Sequence, residues 1–294
     1  MSSKATAVVS KLGTLRVHGR DSKGIVAAVS KLLDQHGCDI IKSEQWTDRV
    51  ENLFFQRIQF DYQHLTTDRD AAEHHMNDLC RNFGIRANLN WRQRQKRVAI
   101  MVSKSDHCLW ELLLRHRAHE LDCEIPVVLS NHPNLQPVAD TFGIPYEVVP
   151  ITPETKLQQE EKELNLLQNE YKVDCVVLAR YMQVLSETFL HAYHNNVINI
   201  HHSFLPAFMG SRAYHQANQR GVKLIGATAH YATLDLDEGP IIDQDVIEVS
   251  HRDDVKDFVR KGRIIERNVL VHALQAHLDD RIITYNNKCV VFGD

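Results

Sequence analysis

The segment Asn199-Ile200-His201-His202-Ser203-Phe204-Leu205-Pro206, followed by His230 and then by Asp237 in Leu236-Asp237-Glu238-Gly239-Pro240, gathers an amide, imidazoles and a carboxylate. Such a set suits transfer of a one-carbon acyl group. The amide can donate to a developing oxyanion; an imidazole can move a proton, and a carboxylate can orient it or a water. On residue types alone, the choice between His201 and His202 is even, and His230 is as readily a packed strand histidine. Asp237 shares its turn with Asp235 and Glu238, where solvated carboxylates are the default. Asn199 could simply close a strand end through a side-chain-to-backbone bond, but its spacing from His201 argues for a shared site. Ser203 has no G-x-S-x-G elbow around it and reads as a loop hydrogen-bonder. The chain has 18 histidines, yet no HExxH pattern and no Cys/His cluster at zinc spacing. The adjacent pairs His74-His75 and His201-His202 cannot share a helix face. No metal is expected.

The elements that must position these groups fall into two patterns. Residues 1–92 read β-α-β-β-α-β, a ferredoxin-like order. Within it, Ile25, Ala28, Val29, Leu32 and Leu33 recur at helical spacing after the turn Asp21-Ser22-Lys23-Gly24, and Gly37 supplies the stop. The basic stretch Arg92 to Arg97 reads as a solvated linker. Residues 93–294 alternate short apolar strands (Val98 to Val102, Ile125 to Leu129, Cys175 to Ala179) with helices, which implies a mostly parallel, Rossmann-like sheet covered on both faces. Such sheets bind ligands at strand carboxyl ends, and Asn199 is expected at the end of strand Val197-Ile198. A long helix, Val255 to Leu278, is expected to break near Gly262.

Bulk properties narrow the partners. A length of 294 residues, a hydrophobic fraction of 43% and a charged fraction of 24% are those of a two-domain globular protein. A formal net charge of -4 gives no footprint for nucleic acid. No signal-peptide core opens the chain and no apolar run is long enough for a bilayer. Six scattered cysteines without C-x-x-C spacing read as reduced core thiols of a cytoplasmic protein.

The later region resembles the formyltransferase family that uses 10-formyltetrahydrofolate. Its N-x-H-x-S-x-L-P, later glycine, T-x-H and D-x-G stand here as Asn199 to Pro206, Gly210, Thr228-Ala229-His230 and Asp237-Glu238-Gly239. The first region resembles an ACT domain through Gly19-Arg20-Asp21-Ser22-Lys23-Gly24-Ile25-Val26-Ala27. Their fusion, with Ala179-Arg180-Tyr181-Met182-Gln183 and Ile225 to Tyr231, resembles the formyltetrahydrofolate deformylases. The resemblance implies Asn199, His201 and Asp237 as catalytic positions, with His202 structural. It implies that folate is held by Arg180, Met182, Gln183, Val184 and Leu185 and by the loop from Ala232 to Asp237, with His230 beside them. It implies hydrolysis to formate and tetrahydrofolate, with the folate as substrate and no cofactor. ACT pairing would make a homo-oligomer, with Asp21 and Gly24 at a site for an effector such as glycine or methionine. Ala213 stands where related sequences often carry proline.

Other readings separate on chemistry. A transferase acting on glycinamide ribonucleotide must hold a phosphate, for which glycines let backbone N–H groups approach; this chain has Ser103-Lys104-Ser105-Asp106-His107 there, without glycine and with a repelling Asp106. A methionyl-tRNA formyltransferase is expected to carry a further C-terminal domain and a positive surface, whereas this chain stops at Asp294 and is mildly acidic. A non-catalytic amino-acid and folate sensor is expected to carry a degenerate trio. Cys108 is expected close to the acceptor side, and the sequence does not decide whether its thiol is reactive.

Overall fold

A computed structural model describes residues 11–207 and 212–293. Gly210 and Ser211, the N-terminal stretch to Ser10 and the terminal Asp294 lie outside the described residues. The chain forms two compact units, one running to Arg94 and taking in the final residues from Val290, the other Gln95–Cys289.

In the first unit, β1 (Leu12–Arg20), α1 (Ile25–Gln35), β2 (Asp39–Asp48), β3 (Leu53–Asp61), α2 (Arg69–Asn82) and β4 (Ile85–Trp91) follow the β-α-β-β-α-β order, and the sheet order is β2-β3-β1-β4. β1 lies antiparallel between β3 and β4, and β2 is antiparallel to β3. The helices cover one face: Val29 and Leu33 of α1 and Met76 of α2 are buried with Leu15, Val17, Ile58 and Phe60 of the strands. Local signals agree with these limits. Gly37 follows α1 at φ 75°, the left-handed conformation that closes many helices. Asp68 caps α2 by accepting from the Ala71 N–H at 2.7 Å.

The second unit is built on a seven-stranded sheet of order β11-β10-β9-β8-β5-β6-β7. Its strands are β5 (Lys96–Val102), β6 (Cys123–Ser130), β7 (Tyr146–Val148), β8 (Cys175–Leu178), β9 (Val197–His201), β10 (Leu224–Tyr231) and β11 (Ile241–Glu248). β5 pairs in parallel with β6 and β8, β6 with β7, and β8 with β9; β10 then runs antiparallel to both β9 and β11. The sheet is therefore α/β, Rossmann-like and mostly parallel. The chain moves outward from β5 in opposite directions, so the switch point where such sheets bind ligands lies at the carboxyl ends of β5 and β8.

The helices are α3 (His107–Arg117), α4 (Gln136–Thr141), α5 (Lys156–Asn165), α6 (Glu187–Ala192), α7 (Ala213–Arg220) and α8 (Val255–Leu278). α8 is one unbroken helix of 24 residues, opened by an Asp254–Asp257 capping box. The expected break at Gly262 is absent for a steric reason: a Cβ there would lie 1.9 Å from the Tyr214 hydroxyl. The glycine admits a side chain from α7 without interrupting the helix. Among the described residues no helix is long and apolar enough to cross a membrane.

Candidate functional site

β9 does not stop before Asn199; it runs to His201, so the amide projects from inside a strand rather than from its end. Residues two apart on a strand share a face. Ile198 and Ile200 point into the core, where Ala227, Ala229 and Tyr231 of β10 also pack with α8. Asn199 and His201 occupy the other face, and the antiparallel register sets His230 opposite Asn199 and Thr228 opposite His201.

This pairing creates the hydrogen bonds. The His230 Nδ1 lies 3.0 Å from the Tyr231 carbonyl oxygen, which can only accept, so Nδ1 carries the proton. Burial lowers the His230 pKa below 6.5 against the opposing pull of the Tyr231 carbonyl and Asp237, which keeps the ring neutral. Its bare Nε2 then accepts from the Asn199 Nδ2 at 3.1 Å. One amide hydrogen is thereby engaged and the other is left for a ligand. Asp237 Oδ1 lies 3.1 Å from His201 Nδ1 and 3.8 Å from His230 Nε2. Burial pushes the Asp237 carboxyl up, but the hydrogen bond and charge of His201 outweigh it and hold the group below its ordinary range. His201 Nε2 is buried with no hydrogen-bond partner among the described residues. A buried imidazole nitrogen in that state is unusual, and it is the atom with which His201 can meet a substrate.

Backbone geometry fixes these side chains. Asp237 sits at φ 60°, a left-handed conformation that Asp tolerates better than most residues. Gly239 lets this loop approach β10, since a Cβ there would lie 1.8 Å from the Tyr231 carbonyl oxygen. The segment after His201 is fastened by Thr228, whose Oγ1 donates to the Ser203 carbonyl at 2.9 Å and accepts from the Leu205 N–H at 3.0 Å. Gln244 of β11 donates to Thr228 Oγ1 at 2.9 Å and to the Leu205 carbonyl at 3.1 Å. Ser203 donates to the Ala207 carbonyl at 2.7 Å, which accounts for its hydroxyl without a nucleophilic role. The buried His202 ring packs 5.6 Å from Tyr214.

The segment after β8 carries the other expected binding residues. Met182 and Val184 are exposed, Gln183 is half-buried and Leu185 is buried. Leu234 and Leu236 in the loop after Ala232, and Phe204 after β9, add exposed apolar side chains on loops that follow neighbouring strands. Arg180 behaves differently: at φ 64° it turns its guanidinium inward, with Nε 3.6 Å from Glu266 Oε2. Glu266 also meets His107 Nε2 at 2.8 Å and accepts from the Tyr214 hydroxyl at 2.6 Å. Burial raises the Glu266 carboxyl, yet His107, Arg180 and Tyr214 together bring it down to about 2.

Cys108 lies in this buried group, and burial drives its thiol pKa well above the ordinary value, so it is not a reactive thiol. His107, Cys108 and Glu266 bring potential ligand atoms within 4.8 Å of one another. With the guanidinium alongside and both Glu266 oxygens engaged, the group is an ion-pair network rather than a cation cradle. In the first unit, Asp21 and Gly24 line a pocket of about 470 Å³ with Ser30, Gln45 and Thr47. Gly24 has a φ of 93°, and a Cβ there would meet no protein atom within 4 Å.

A formyl transferase family model matches residues 96–274. The chain is 48% identical over 280 residues to the formyltetrahydrofolate deformylase of Synechocystis sp., covering 95% of this chain and 98% of that protein. The chain belongs to the formyltetrahydrofolate deformylase family. A crystal structure of the Pseudomonas syringae pv. tomato deformylase superposes with a TM-score of 0.91 at 42% identity, over 98% of this chain and 96% of that one. A glycinamide ribonucleotide transformylase from Symbiobacterium toebii matches at a TM-score of 0.65 and 29% identity, over 70% of this chain and 98% of that one. For this deformylase-family chain the match to the transformylase covers 70% of its length and the match to the deformylase 98%.

Sequence reasoning missed several groups around the site. Thr228 appeared only as a motif letter, and Gln244 carried no signal. Ser103, noted as part of a phosphate-loop comparison, is buried, donates to Asn131 at 2.7 Å and accepts from the Met182 N–H at 3.0 Å. The position of His230 was visible, but its side-chain bond to Asn199 was not.

Proposed function

We propose that this chain hydrolyses 10-formyltetrahydrofolate to formate and tetrahydrofolate, with Asn199, His201 and Asp237 as its catalytic residues. The observation that carries the reading is the pair His201–Asp237 at 3.1 Å, with the far imidazole nitrogen open, beside an amide oriented by His230. Water adds to the formyl carbon, and the carbonyl oxygen becomes an oxyanion. The remaining Asn199 N–H donates to it, an interaction whose removal costs about 3–4 kcal/mol in comparable sites. His201, with Nδ1 3.1 Å from Asp237, delivers a proton to the departing folate nitrogen through Nε2. Asp237 accepts from the attacking water. Folate is held by Met182, Gln183, Val184 and Leu185 and by the loop from Ala232; Arg180 and His230 serve this site through the contacts of their side chains with Glu266 and Asn199. The folate is the substrate, and the reaction uses no cofactor.

Incubation with 10-formyltetrahydrofolate and no amine acceptor tests the proposal. Stoichiometric formate release is expected; turnover only after an amine is added would make the chain a transferase. Asp237→Asn should lower kcat by about 10²–10⁴-fold, and formate release at the parental rate would overturn its role.

The first unit serves as an ACT domain, residues 1–92, ahead of the catalytic domain, residues 93–294. Its pocket is of a size for a small amino acid such as glycine or methionine, and Ser30, Gln45 and Thr47 offer hydrogen bonds to one. Pairing of such domains makes the protein a homo-oligomer. Isothermal titration with glycine and with methionine tests the effector, and no heat from either would remove it. A cytoplasmic setting accords with six free cysteines.

A further inference from the structure

α5 reads as a solvated helix, yet two of its carboxylates are buried: Glu160 and Glu163, the latter at 0% exposure. Each engages one oxygen with the segment after β8. Glu163 Oε1 accepts from the Tyr181 hydroxyl at 2.8 Å, and Glu160 Oε1 accepts from the Ser186 backbone N–H at 2.9 Å. The second oxygen of each is buried without a hydrogen-bond partner among the described residues. Two buried carboxylates one turn apart are costly, and an apolar pair would serve stability better. The chain leaves the α-helical path immediately afterwards, in a π-helical turn at Leu166–Glu170, a feature enriched at functional sites. The residues between the two anchors are those assigned to folate, and Ser103 holds a third point at the Met182 N–H.

We infer that Glu163 and Glu160 are positioning residues of the folate-binding segment 181–186: they hold its two ends from beneath and so set where Met182 to Leu185 meet the substrate. The inference rests on the folate reading of that segment. It assigns to α5 a part in substrate affinity that its surface-like sequence conceals. Neither carboxylate enters the chemistry; their effect falls on KM.

The test compares Tyr181→Phe, Glu163→Gln and the double variant Tyr181→Phe/Glu163→Leu in steady-state hydrolysis of 10-formyltetrahydrofolate, with Tm measured for each. Tyr181→Phe should raise KM at least fivefold with kcat within twofold of the parent. Glu163→Gln, whose amide oxygen still accepts from Tyr181, should keep KM within twofold. The double variant replaces the polar pair by apolar groups; it should match or exceed the parental Tm while retaining the raised KM, a separation that a merely structural role would not give. An unchanged KM in Tyr181→Phe, a loss of kcat in place of KM, or a KM that follows Tm would each overturn the inference. Failure of the parent protein to release formate would instead strike the folate reading itself, so the two failures are distinguishable.

Discussion

At the residue scale the site depends on proton placement. His230 is useful to Asn199 only while neutral, because protonation at Nε2 would turn an acceptor toward a donor. Its pKa lies below the ordinary 6.5, so the ring is neutral at pH 7 and charges only in acid. kcat/KM should therefore hold near neutrality and fall on the acid side below about 6.5. His230→Gln offers Asn199 an acceptor that does not titrate there, and a pH–rate profile of that variant should have its acid limb displaced downward. An identical acid limb in the variant would assign the titration elsewhere. The trio was legible in the primary structure because each member stands in a recurrent motif. His230 was not, since a strand histidine looks the same whether it packs or orients a neighbour. Only the register, which pairs it with Asn199, separates these cases.

At the scale of elements, close approaches decide more than propensity does. Gly262 exists for the Tyr214 hydroxyl, and through it for Glu266. Gly262→Ala should displace Tyr214 and cost about 1–3 kcal/mol, read as a lowered Tm; an unchanged Tm would mean that α7 yields without loss. Thr228 makes a second case: Thr228→Val keeps the shape of the side chain but removes its bonds to Ser203 and Leu205, and should lower kcat by loosening the segment after His201. Most strands and helices could be located from apolar periodicity. α5 is legible as a polar helix over Thr155 to Asn169, but its buried face is not: Leu157 is 74% exposed while Glu160 and Glu163 are buried. Tertiary contacts with the segment after β8 override the local signal there. The expected helix break failed for a related reason, because a glycine that admits a distant side chain is indistinguishable in sequence from one that ends a helix.

For the molecule as a whole, buried carboxylates shape stability against pH in opposing senses. Glu266 is held down to about 2 from 4.5 despite its burial. Its contribution is present above the unfolded value and is lost as pH falls through about 2. Glu163 runs the other way: burial, with the charge of Glu160, raises it to about 7 against the bond from Tyr181. That carboxyl favours the fold while protonated, and its contribution is lost as pH rises from about 4.5 toward 7, a difference of about 3 kcal/mol. Glu163→Gln should thus raise Tm relative to the parent at pH 8 and leave it nearly unchanged at pH 4.5. Equal gains at both pH values would show that ionisation is not the cause. The same residue then carries a stability cost and an affinity benefit, a pattern familiar where function is placed in a core.

The orientation of one amide has a final implication for selectivity. With its nitrogen end dictated by the neighbouring strand, Asn199 offers an incoming one-carbon group only a hydrogen to receive. A ligand bearing a protonated imine, =NH2+, where the formyl oxygen would lie has no lone pair there, meets donor against donor and is turned away by polarity, although its size and shape are nearly the same.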